Sequence, residues 1–240
     1  MPVIKPNSIE KNEGSKTFIH TDSLSVGYRK EFPVVSDIHL HIHSGKTYAL
    51  VGGNGAGKTT LFRTLTDLLP PLSGSIQFSK QITTSYVPQA KRMSLEFPLS
   101  VQDVLLMPKN IGLSFLPKKK FAPEDLDLIE RTGVSSYLKK QISLCSGGQL
   151  QKVLILRSLL TKANLIFLDE PMDSLDHNAR ELFQTVLSEY LRDGNRSLFF
   201  ITHSLEHDWG FGFDEIFEID EGKLYNITSG ERPPNCHHHD

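Results

Sequence analysis

The spacing of apolar and polar positions changes several times along the chain, and each change marks an element. Ile38, Leu40 and Ile42 alternate with His39, His41 and His43, the period of a half-buried strand. A turn at Gly45-Lys46 leads into Thr47-Tyr48-Ala49-Leu50-Val51, an apolar run read as a buried strand. Thr59–Leu69 carries leucines at helical spacing (Leu61, Leu65, Leu68) and is stopped by Pro70-Pro71. A second turn, Ser73-Gly74, opens a strand over 75–78. From about Ala90 to Leu144 the pattern is helical but broken by Pro98, Pro108, Pro117 and Pro123, with a basic patch at Lys118-Lys119-Lys120. This stretch reads as an inserted helical lobe. After Ser146 the pattern predicts a helix over 149–161, a buried strand over 165–168, a helix over 178–192 and a buried strand over 197–201. Apolar strands alternating with helices predict an α/β fold, a parallel sheet covered by helices on both faces.

Composition narrows the classes. Of the 240 residues 38% are hydrophobic and 22% charged, which favours a packed core over disorder. The formal charge of −2 gives no basic footprint for nucleic acid. Two cysteines, Cys145 and Cys236, make no disulfide framework, and a reducing compartment is the simpler reading. No run approaches the ~20 apolar residues that span a bilayer, so any membrane role calls for a membrane-embedded partner. Residues 1–16 read as a polar leader without a signal-peptide core, and residues 231–240 as a polar tail.

The clearest chemistry lies at Gly52-Gly53-Asn54-Gly55-Ala56-Gly57-Lys58-Thr59, which fits G-x-x-x-x-G-K-[ST] between an expected strand and an expected helix. Glycines let successive backbone N–H groups turn inward on phosphate oxygens, and the helix start adds its positive end. Lys58 brings a point charge to the outer phosphates, and the Thr59 hydroxyl suits Mg²⁺. Thr60 follows in the same turn. Downstream, Leu165-Ile166-Phe167-Leu168-Asp169-Glu170 is a buried strand ending in two acids. Asp169 is placed there to bind Mg²⁺ through water, and Glu170 to polarise an attacking water.

Cys145-Ser146-Gly147-Gly148-Gln149 resembles the signature loop of ATP-binding-cassette ATPases, usually L-S-G-G-Q. Other motifs of that family stand in its order over residues 17–220: Tyr28, where the family stacks an aromatic on adenine; Gln89 in Tyr86-Val87-Pro88-Gln89; Ser174-Leu175-Asp176; and His203 after Phe199-Phe200-Ile201-Thr202. The resemblance implies a mixed-sheet P-loop core, an antiparallel N-terminal β-subdomain and a helical subdomain near 90–145, the whole spanning 17–230. It implies that ATP and Mg²⁺ are bound, that Gln89 touches Mg²⁺ or its water, and that His203 contacts the γ-phosphate. It also implies a head-to-tail dimer, in which Ser146, Gly147, Gly148 and Gln149 meet the nucleotide on the other copy, and it makes Asp176 a further nucleotide-site residue. Cys145 and Met172 depart from the usual pattern.

The segment from Phe97 to Met107 resembles the F-P-x-[ST]-V-x-D-V stretch of cassettes from manganese, zinc, iron and iron-chelate importers, with Pro108 where glycine is usual. That implies the nucleotide-binding subunit of a bacterial metal-ion or metal-chelate importer, peripheral on the cytoplasmic membrane face, with permease subunits and an extracytoplasmic binding protein. Another cargo, lipid or polysaccharide export among them, and a soluble non-transport cassette stand as alternatives. Two histidine-rich features remain. Cys236-His237-His238-His239-Asp240 is a potential Zn²⁺ or Ni²⁺ binder, and His39, His41 and His43 read as a solvated strand face with weak chelating potential.

Overall fold

In the computed structural model, residues 16–92, 98–107, 120–203, 205 and 211–228 are described. The terminal segments, Phe97, Pro108 and most of the lysine patch lie outside them. The chain divides into two compact units. One takes in the chain up to 86, 164–169 and 191 onward; the other takes in 87–163 and 170–190.

The first unit holds two sheets. In the smaller, β1 (Thr17–Val26) pairs antiparallel with β2 (Val35–Ile38), β3 (His41–His43) and β5 (Ser73–Phe78). The larger has the order β10-β9-β4-β8-β7-β6, where β4 is Thr47–Gly52, β6 Thr84–Val87, β7 Leu165–Asp169, β8 Ser197–Ile201, β9 Glu215–Asp220 and β10 Lys223–Asn226. Strand β4 runs parallel to both β8 and β9, and β7 parallel to β8, while β10 returns antiparallel on β9. The sheet is therefore mixed, and the α/β class expected from the pattern is the one adopted. β7 and β8 are buried on every residue, as expected of strands flanked by neighbours and covered on both faces.

Helix α1 (Lys58–Leu65) lays Leu61, Phe62 and Leu65 into this core. Phe62 meets Phe167 edge-on at 5.0 Å and Phe199 at 4.9 Å between ring centroids, an arrangement that adds to the gain from burial.

The second unit has its own core. It is built from Ala90, Val101, Leu105, Ile129, Val134, Ile142, Leu150, Val153 and Leu156. Its helices are α2 (Val101–Leu106), α3 (Pro123–Arg131), α4 (Gly147–Leu160) and α5 (His177–Leu191), with short 3₁₀ turns between them. Helix α2 starts in a reciprocal cap. The Ser100 hydroxyl accepts from the Asp103 N–H, and Asp103 accepts from the Ser100 N–H at 2.9 Å.

Several elements differ from the pattern reading. The alternation over 38–43 is not one strand. It breaks at His39-Leu40, and each half pairs separately with β1, beside a shift in register. Asp37, just before the break, sits at φ +56°. His39 thus lies off the strands beside Asp37 and Asp22, while His41 packs on His20 of β1 at 4.4 Å. Among the described residues no cluster of histidine, cysteine or acid has the arrangement of a metal site. Helix α1 ends at Leu65 rather than Leu69, with Asp67 at φ +61° closing it. Helix α4 begins two residues earlier than expected, at Gly147. No described helix is long and apolar enough to cross a membrane.

Candidate nucleotide-binding site

The glycine loop joins β4 to α1 within the first unit. Gly55 and Gly57 take left-handed backbone, at φ +81° and +109°. At Gly57 a Cβ would lie 2.7 Å from Val35 Cγ2 and 2.8 Å from Val34 Cγ1, so the loop closes onto β2 only through a residue without a side chain. Gly53 and Gly55 instead face open space. Gly53, Asn54 and Gly55 are exposed, and the Ala56 N–H is spent on the Gly53 carbonyl. No side chain caps α1, whose N-cap is Gly57. Its start is the positive helix end that an anion favours.

Lys58 is buried, and its ammonium donates to the carbonyls of Gly52 at 2.6 Å and Gly53 at 2.9 Å. Thr60 is buried behind it, its carbonyl accepting from the Thr64 hydroxyl. The Thr59 hydroxyl donates to Asp169 Oδ2 at 2.8 Å, and the Tyr86 hydroxyl donates to the same oxygen at 3.0 Å. Asp169 is 1% exposed, and its other oxygen, Oδ1, is buried without a hydrogen-bond partner. A buried carboxylate oxygen left unmatched costs free energy unless a cation or its water meets it. The neighbouring donor set is hard oxygen, Thr59 hydroxyl and carboxylate, which suits Mg²⁺. These residues fit the ion.

Arg63 of α1 donates to the Tyr28 hydroxyl at 3.3 Å, and its charge acts on the Tyr86 phenol. Burial and the Asp169 carboxylate push the Tyr86 phenol well above its ordinary range, so it stays protonated and donates. Tyr28 is 61% exposed, its ring face open. His203 is exposed just beyond β8, after the buried Thr202. The pattern gave no sign of Arg63 or of a role for Tyr86. Arg63 lies on a helix face that reads as ordinary surface, and Tyr86 meets Asp169 across 83 positions of sequence.

The remaining site residues belong to the second unit. Gln89 and Glu170 are both buried, and Gln89 Nε2 donates to Glu170 Oε2 at 2.6 Å. Glu170 sits at φ +48°, an uncommon backbone for a residue with a side chain. Ser146 and Gln149 form a capping box on α4. The Ser146 hydroxyl accepts from the Gln149 N–H, and Gln149 Oε1 accepts from the Ser146 N–H, both at 3.2 Å. Lys140 also donates to that Oε1 at 2.8 Å. The Ser146 oxygen accepts inward, so its proton is left to donate outward. Gly147 faces open space, whereas a Cβ on Gly148 would lie 2.9 Å from the Ser174 carbonyl. Asp176 caps α5 through the Ala179 N–H at 2.8 Å. Cys145 packs against the core of this unit, and burial raises its thiol pKa.

Residues 35–173 match the family model described as ABC transporter. The manganese transport system ATP-binding protein MntB of Bacillus subtilis (strain 168) is 35% identical over 196 residues, covering 78% of each chain. The zinc transport system ATP-binding protein TroB of Treponema pallidum (strain Nichols) is 35% identical over 196 residues, covering 78% of this chain and 73% of its own. A solved ATP-binding subunit of an ABC transporter superposes with a TM-score of 0.72 at 22% identity, over 89% of this chain and 91% of that one.

Proposed function

The chain belongs to the ABC transporter family, and from that premise we propose that it is the ATP-hydrolysing subunit of an importer for a divalent metal ion or metal chelate. One observation carries the catalytic reading: the uncapped start of α1 is joined, through Thr59, to a buried carboxylate with one unmatched oxygen. Phosphate and its counter-ion are the ligand pair that answers both.

The β- and γ-phosphates lie in the glycine loop against the start of α1. Lys58 turns from the Gly52 and Gly53 carbonyls to the phosphate oxygens, exchanging neutral acceptors for charged ones. The Thr59 hydroxyl keeps its proton on Asp169 Oδ2 and presents its lone pairs to Mg²⁺, while Asp169 Oδ1 meets the ion or its water. Bound there, Mg²⁺ neutralises charge that develops on the transferring phosphoryl group. Glu170 orients the attacking water and accepts its proton, and the Gln89 hydrogen bond fixes its direction. His203 donates to the γ-phosphate. Tyr28 stacks on the base.

Ser146 and the first amides of α4 form a second phosphate-facing helix end. A second copy of the chain, arranged head to tail, supplies that end to the ATP held by the first. The pair acts on permease subunits at the cytoplasmic face of the membrane, with an extracytoplasmic binding protein delivering cargo. The metal cargo is supported by the manganese and zinc systems of the relatives.

Glu170→Gln tests the catalytic assignment. The variant is expected to bind ATP and accumulate as a dimer with hydrolysis nearly abolished, measured by phosphate release and size-exclusion chromatography. Hydrolysis at the parent rate would overturn it. Uptake of radioactive Mn²⁺, Zn²⁺, Fe²⁺ and chelated iron by cells with and without the gene tests the cargo, and identical uptake of all four rejects it.

A further inference from the structure

Two hydroxyl groups meet Asp169 from within the first unit. The Tyr86 hydroxyl donates to Asp169 Oδ2 at 3.0 Å. The Thr59 hydroxyl is the second donor to that oxygen, at 2.8 Å. Two donors on one oxygen pin the carboxylate and fix which oxygen stays available, and that oxygen, Oδ1, is the buried one without a partner. With Thr59 alone, the carboxylate would be free to rotate about its last bond and would share its charge between both oxygens.

We propose that Tyr86 is a positioning residue for the Mg²⁺ site: its hydroxyl locks the Asp169 carboxylate with Oδ1 facing the ion. The inference rests on the reading of Asp169 as the ion's carboxylate. Hydrogen-bond partners of a metal-facing carboxylate set its orientation and basicity, and their loss weakens metal binding about 10–100-fold. The Tyr86 hydroxyl is spent on Asp169 Oδ2, so its effect is expected in the metal-dependent part of binding.

The test uses the full chain, with Mn²⁺ as a paramagnetic probe and ADP as nucleotide. Free Mn²⁺ is read by electron paramagnetic resonance at saturating ADP. Metal-free ADP affinity is read in EDTA with a fluorescent ADP analogue, and folding by thermal melting. Tyr86→Phe is expected to weaken Mn²⁺ binding about 10-fold, with metal-free ADP affinity and melting temperature unchanged. Equal losses with and without metal would mean a merely structural role and overturn the proposal. Parent-like Mn²⁺ binding by Tyr86→Phe also overturns it, provided Asp169→Asn has lost the ion. If Asp169→Asn itself binds Mn²⁺ undiminished, the assignment of Asp169 fails and the proposal with it. Should Tyr86→Phe not fold, Tyr86→Leu removes the same hydroxyl with a different apolar side chain. It is expected to weaken Mn²⁺ binding by a similar factor, and unchanged Mn²⁺ binding overturns the proposal.

Discussion

Gly55 and Gly57 both sit in left-handed backbone, but their surroundings separate two costs that are usually confounded. Alanine at Gly55 meets nothing within 4 Å, so Gly55→Ala carries only the backbone penalty, about 1–2 kcal/mol. Alanine at Gly57 carries a penalty of similar or larger size, since φ +109° lies far from the centre of the left-handed basin. It also drives a methyl to 2.7 Å and 2.8 Å from two valine methyls, where carbon atoms ordinarily rest ~3.5–4.0 Å apart. Val35 is fully buried in the β2 core and cannot swing away, so overpacking of ~1–3 kcal/mol applies. At about 2–4 °C per kcal/mol for a chain of this size, Gly57→Ala should melt roughly 2–12 °C below Gly55→Ala. The comparison is made on nucleotide-free protein by circular dichroism, with urea unfolding as a check. If the two variants melt together, the loop is not wedged against β2 and the steric argument is wrong.

Three further outcomes follow from other parts of the structure. Phe62→Ala removes the ring that bridges Phe167 and Phe199 and should cost ~3–5 kcal/mol in urea unfolding. Ser146→Ala removes the α4 cap and should destabilise by ~1 kcal/mol without nucleotide, while Ser146→Asp, another good cap, restores that stability in the same measurement. Burial first, then His20 and His43, hold the His41 pKa below its ordinary value, with His39 adding to the depression and Glu215 opposing it. The unfolded chain therefore takes up that proton more readily. Stability is full above pH ~6.5 and falls as the pH drops from there toward the depressed value. The effect is small at this exposed site, and His41→Gln should flatten the pH dependence of the thermal midpoint in that window.

How much of this was legible in sequence follows the range of the contacts. The glycine loop, Asp169 and the strand before it announce themselves because each works through a few consecutive residues. So does the Ser100–Asp103 cap, although its sequence first reads as a family hallmark rather than a helix start. The break between β2 and β3 was hidden because the alternation runs straight through His39 and Leu40. Only the pairing with β1 and the turned backbone at Asp37 divide it. Tyr86, Arg63 and the donor pair on Asp169 were illegible for a simpler reason. Hydroxyl-to-carboxylate bonds across 83 and 110 positions leave no period or spacing to read.

The capping box on α4 bears on how such chains age. Ser146 and Gln149 hold the first turn of a helix whether or not ATP is ever split. A descendant that had lost Glu170 and its turnover would still be penalised, through folding alone, for losing Ser146. The loop most often used to recognise these proteins would therefore be among the last features to erode. In a degenerate copy, a surviving S-G-G-Q dates the fold, and the buried acid after β7 dates the activity.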